Sequence, residues 1–117
     1  MTEDNRTDFE VFKDEFTYWQ ARFGLTGYKV YFKYEPIENA WADIDVIHVD
    51  RVVTVRLDSE VTDEGRLQRD VKSSAKHEAI HLLLMELQHL TGERYIREDE
   101  IYAAVESIVF KLEGLIQ

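Results

Sequence analysis

The sequence predicts an α+β fold: an N-terminal helix, a three-stranded antiparallel or mixed sheet, and two further helices. Three observations carry this. Aromatic residues recur at helical spacing near the N-terminus, apolar residues alternate with polar ones through the middle, and the second half returns to helical periodicity. The 117 residues fit one domain, 1–117, with 1–7 as a frayed polar tail. A chain this long buries roughly two-thirds of its unfolded surface and needs no covalent staple.

Each element has a local cause. Asp8 can cap the first helix, in which Phe9, Phe12, Phe16, Trp19 and Phe23 recur at spacings of three and four and Gly24 supplies a stop. The period then drops to two. Tyr28, Val30, Phe32 and Tyr34 alternate with Lys29, Tyr31 and Lys33, and Pro36 ends this strand. A second strand spans Ala42 to Val49, and a third spans Val52 to Leu57. Only Asp50-Arg51 separates them, so they should form an antiparallel hairpin. A long helix is expected from Thr62 or Asp63 to about His89, with Ile80 to Leu87 buried on most sides. Thr91-Gly92 breaks it. The last helix covers about Arg97 to Glu113, with Ile101, Val105, Ile108, Val109 and Leu112 on its inner stripe.

Composition excludes several functions. With 44% hydrophobic and 12% aromatic residues, the chain is not intrinsically disordered. The absence of cysteine excludes disulfide scaffolds, thiolate zinc fingers, iron–sulfur sites and a cysteine nucleophile. Histidines and carboxylates remain as metal ligands. A net charge of −10 repels phosphate, so neither nucleic acid nor an anionic membrane is an expected partner. The basic run Arg66, Arg69, Lys72 and Lys76 reads as a solvated helix face. Met1 to Asp8 has no apolar signal segment, and apolar runs such as Leu82 to Met85 fall far short of the ~20 residues that span a membrane. A cytoplasmic location is the expectation.

One segment carries chemistry: His77-Glu78-Ala79-Ile80-His81, the pattern H-E-x-x-H on a predicted helix. Four residues advance a helix by ~6 Å and turn it by only ~40°, so both imidazoles can share one ion, and zinc suits them. Glu78 flanks that face, placed to take a proton from water on the metal. Chance would produce the pattern in roughly one such sequence in sixty. A catalytic zinc takes three protein ligands and keeps one open position. His89 lies about 12 Å along the helix axis from His81 and cannot reach the same ion. His48 belongs to the strand region. The third ligand is sought on the last helix, among Glu98, Asp99, Glu100 and Glu106. Glu106 is preferred because it stands among Val105, Ile108 and Val109, where an unpaired carboxylate would be costly; Glu100 is second.

H-E-x-x-H after a three-stranded sheet and before a glutamate helix resembles a minimal zincin metallopeptidase of the gluzincin kind. It is most similar to the ImmA/IrrE-type and phage-encoded metallopeptidase domains, over about residues 8 to 113. The resemblance implies one Zn2+ held by His77, His81 and Glu106, with Glu78 as general base, hydrolysing peptide bonds through a metal-bound water. It implies a protein or peptide substrate, a possible regulatory protein partner, and the host cytoplasm if the chain is phage-encoded. Larger gluzincins often carry an aspartate four residues after the ligand glutamate; here that residue is Phe110. Tyr95, Tyr102 and Arg94 are candidate oxyanion donors, and one sheet edge could align the substrate by strand addition. The competing expectation is a zincin-like module that binds protein without cleaving it. A closed structural zinc site is weaker, because two histidines and one glutamate leave a position open.

Overall fold

A computed structural model describes residues 7–92 and 95–115. In chain order they form α1 (Asp8–Arg22), β1 (Lys29–Glu35), β2 (Ala42–Ile47), β3 (Val52–Asp58), α2 (Asp63–Gln68), α3 (Val71–Leu83), α4 (Met85–Thr91) and α5 (Glu98–Glu113). The class is α+β, as the periodicities predict.

Thr7, not Asp8, caps α1. Its hydroxyl accepts the Glu10 N–H at 3.2 Å, and the Glu10 carboxylate accepts the Thr7 N–H at 2.9 Å. Asp8 is thereby free to pair with Arg69, 3.1 Å away. The aromatic stripe packs as its spacing requires: Phe12 and Phe16 are fully buried and meet Phe32 of β1 edge-on, with ring centroids 6.5 and 5.7 Å apart. Gly24 follows the helix with φ +72°, the left-handed stop that glycine adopts without strain.

The sheet is mixed, in the order β1-β3-β2. β2 and β3 form the expected antiparallel hairpin, from Ala42 opposite Leu57 to Ile47 opposite Val52. β1 pairs parallel to β3, with Lys29 opposite Val52. The central strand supplies the core: Val53, Val55 and Leu57 are fully buried. On the outer face Arg56 ties the three strands together, bonding Asp43 of β2 through Nε at 2.8 Å and Glu35 of β1 through Nη1 at 3.0 Å. β1 and β2 are the edges.

The expected single helix from 62 to 89 is three. Arg69 adopts an extended backbone between α2 and α3, and its side chain is buried. It donates to the Asp58 carbonyl at 2.8 Å and to Asp8 at 3.1 Å. Contacts with residues distant in sequence thus override a locally helical segment, and Arg69 leaves the basic face it was assigned to. Asp70 then caps α3 by accepting the Ser73 N–H at 3.0 Å. Leu84 makes the second, slighter break between α3 and α4. Leu82 and Leu83 are buried, but Ile80 and Leu84 are each 38% exposed, so this stretch is covered on one side only. α5 seats on Ala104, with Ile101, Ile108 and Leu112 half-buried beside it. Val105 and Val109, expected inside, are exposed. No helix among the described residues is long and apolar enough to cross a membrane.

Candidate metal and catalytic site

α3 packs against α1 and alongside β2. Its buried face is Ala75, Glu78, Ala79, Leu82 and Leu83. His77 and His81 project from the opposite, exposed side. Their Nε2 atoms stand 3.2 Å apart, and the rings are 78° from coplanar with centroids 4.8 Å apart. Two imidazoles bound to one tetrahedral zinc at 2.0–2.1 Å have their nitrogens about 3.3 Å apart. The separation matches that of two ligands on one ion.

Glu78 is set about 100° further round the helix and is only 6% exposed. Its carboxylate has no hydrogen bond among the described residues. Burial pushes its pKa above the ordinary carboxylate value, His77 pulls against that shift, and the charge of Asp43 adds to it. A buried carboxyl of raised pKa beside two exposed imidazoles suits proton transfer at that spot.

An open groove crosses this site between α3 and β2. It has two lobes that meet at Ala42, His77 and Glu78. One runs toward Trp41, Asp70 and Ser74; the other runs toward Ile44, Met85 and Gln88. β2 bonds to β3 through alternate residues, and the Asp58 N–H donates to the Trp41 carbonyl at 2.8 Å. That phase turns the main-chain groups of Ala42, Ile44 and Val46 outward along the free edge.

The carboxylates sought as third ligand are not gathered here. Among the described residues, no three histidine, aspartate or glutamate side chains stand close enough to share an ion. Glu106 is exposed, so the burial that favoured it is not there. Its carboxylate, one turn from Tyr102, pushes that phenol above its ordinary pKa. Glu100 is turned back to the Arg97 N–H at 3.3 Å. Glu98 and Asp99 are exposed in the first turn of α5. Phe110 is 78% exposed. Tyr95 and Tyr102 are exposed and line neither lobe; Arg94 lies outside the described residues. His48 and His89 form a separate pair, stacked with centroids 4.4 Å apart, and Tyr28 meets His48 Nδ1 at 3.3 Å.

Sequence reasoning missed Trp41 and the choice of β2 as the edge beside the motif. Strand order has no local signal, although a lone tryptophan at the start of a strand was visible. No family model matches the chain, and no curated protein or solved structure matches it significantly.

Proposed function

We propose that the chain is a zinc-dependent peptidase of minimal zincin type, hydrolysing peptide bonds in extended segments laid along β2. The supporting observation is the convergence of the His77 and His81 Nε2 atoms, 3.2 Å apart, beside the buried carboxylate of Glu78. His77 and His81 would hold the ion, with a third donor drawn from α5, either Glu106 or Glu100. Neither joins the pair in the present seating of α5, so that donor rests on the resemblance alone. Bound zinc would supply a Lewis acid and lower the pKa of a coordinated water to about 7.

The chain's own groups do the rest. The free edge of β2 offers the main-chain donors and acceptors of Ala42, Ile44 and Val46, which hold a peptide extended across the groove. Glu78 accepts a proton at its carboxylate and returns it to the leaving amine; its raised pKa favours the acceptance. The −10 charge favours a peptide over nucleic acid as substrate. A regulatory protein partner and a cytoplasmic site of action, the host's if the chain is phage-encoded, complete the proposal.

Metal analysis of purified protein tests it. Wild type and Glu78→Gln should each carry about one zinc, and His77→Ala should lose it. Wild type alone should cleave a mixture of unstructured peptides. Sub-stoichiometric zinc that is unchanged in His77→Ala sinks the metal reading. The dispersal of the α5 carboxylates favours one alternative, a zincin-like module that binds protein without cleaving it. A stoichiometric complex with an uncleaved peptide, at full zinc occupancy, would select it.

A further inference from the structure

We infer that the Trp41 end of the groove is a subsite for a lysine or arginine side chain of an extended peptide. This rests on the peptide reading above and adds a chemistry that the H-E-x-x-H motif does not imply. The lobe holds about 330 Å3 and is lined by Trp41, Gln68, Asp70, Ser73 and Ser74 beyond the shared centre.

Beyond the shared centre its ionisable group is Asp70, and no lysine or arginine lines it. Asp70 uses one oxygen to cap α3, bonding the Ser73 N–H at 3.0 Å; its other oxygen has no hydrogen bond among the described residues. Trp41 is 41% exposed and walls the lobe. Elsewhere the chain's own cations lie over aromatic rings: Lys13 over Phe9, Arg51 over Tyr28, Lys76 over Trp19. No such cation covers Trp41 among the described residues, and Lys76, one residue before His77, is held 4.8 Å over Trp19. An exposed indole and a carboxylate lining one lobe, in a chain of net charge −10, are complementary to a cationic side chain with an apolar stem.

The test uses Glu78→Gln protein, so that cleavage does not confound binding. Three fluorescent nonapeptides differ only in a central lysine, norleucine or glutamate, and affinity is read by anisotropy. Lysine should bind about tenfold tighter than norleucine, with glutamate weakest. The ratio should fall to within about twofold in Trp41→Leu and in Asp70→Asn, a change that keeps a helix-capping side chain. Equal affinity for lysine and norleucine overturns the subsite. So does a ratio unmoved by Trp41→Leu, or no measurable binding of any peptide. The same peptides are then given to wild type. Lysine-selective binding without cleavage leaves the subsite standing and removes the peptidase reading; cleavage without lysine preference does the reverse.

Discussion

Replacing Glu78 by glutamine should stabilise the metal-free fold while removing its chemistry. Glu78 is 6% exposed and has no hydrogen-bonding partner among the described residues. Its oxygens keep some contact with solvent along the groove, so the carboxylate pays only part of the about 1–3 kcal/mol that a fully buried unsatisfied group costs. Glutamine keeps the shape and part of that penalty but removes the charge, and His77 already offsets some of it. A gain of about 1 kcal/mol is therefore expected, which for a chain of this length raises Tm by about 4 °C. The pH dependence follows from the raised pKa. The folded state holds the Glu78 proton more tightly than the unfolded chain, so the deficit is absent below the ordinary value of 4.5 and develops as pH rises through the folded pKa. Thermal unfolding of both proteins with chelator, at about pH 7.5 and about pH 4, checks this. A gain at the higher pH that vanishes at the lower one is the expected result. A variant no more stable at pH 7.5, or equally advantaged at both, would refute the placing of Glu78 as a buried, desolvated carboxylate.

Two further outcomes concern the scaffold. His48 is held below its ordinary pKa by burial, then by His89 and Arg51, with Glu86 opposing; Tyr28 also contacts it. The unfolded chain thus binds the proton more readily, so stability should rise with pH up to about 6.5, and His48→Gln should flatten that rise in urea midpoints. Arg69→Met strands the Asp58 carbonyl and the Asp8 carboxylate and should cost about 2 kcal/mol in urea unfolding. Arg69→Lys should not restore the loss, because one ammonium does not reproduce the fork that serves both acceptors.

Legibility followed the range of the interactions. The aromatic stripe of α1, the alternation in β2 and β3, and their hairpin all depend on neighbours a few residues apart, and all stand where the periodicity puts them. The spacing of His77 and His81 is likewise local, and helix geometry alone brings their nitrogens together. The parallel pairing of β1 with β3 spans a crossover and carries no local mark. The break at Arg69 depends on Asp8, 61 residues away, and on Asp58. Residues 62–89 contain neither partner.

The third ligand lies between these cases, because helix arithmetic could have ranked its candidates. The sequence predicts an inner stripe of Ile101, Val105, Ile108, Val109 and Leu112 on α5; Ile101, Ile108 and Leu112 are half-buried, Val105 and Val109 are exposed, and the buried residue is Ala104. Glu106 follows Ala104 by two residues, about 200° round the helix, and faces away from the body of the protein. Glu100 precedes Ala104 by four residues, on the same side and one turn earlier. Ala104 lines a cavity with Leu82 and Leu83, on the face of α3 away from His77 and His81, so either carboxylate reaches the pair only if α5 is reseated, and Glu100 needs the smaller rotation. Glu106 would need α5 to turn by about half a revolution and expose Ala104. Zinc titration of Glu100→Gln and Glu106→Gln decides this: the first should weaken zinc binding by tenfold or more, about 1.4 kcal/mol, and the second should leave it within about twofold. Loss of zinc from Glu106→Gln alone would mean that α5 is seated on its other face in the metal-bound protein.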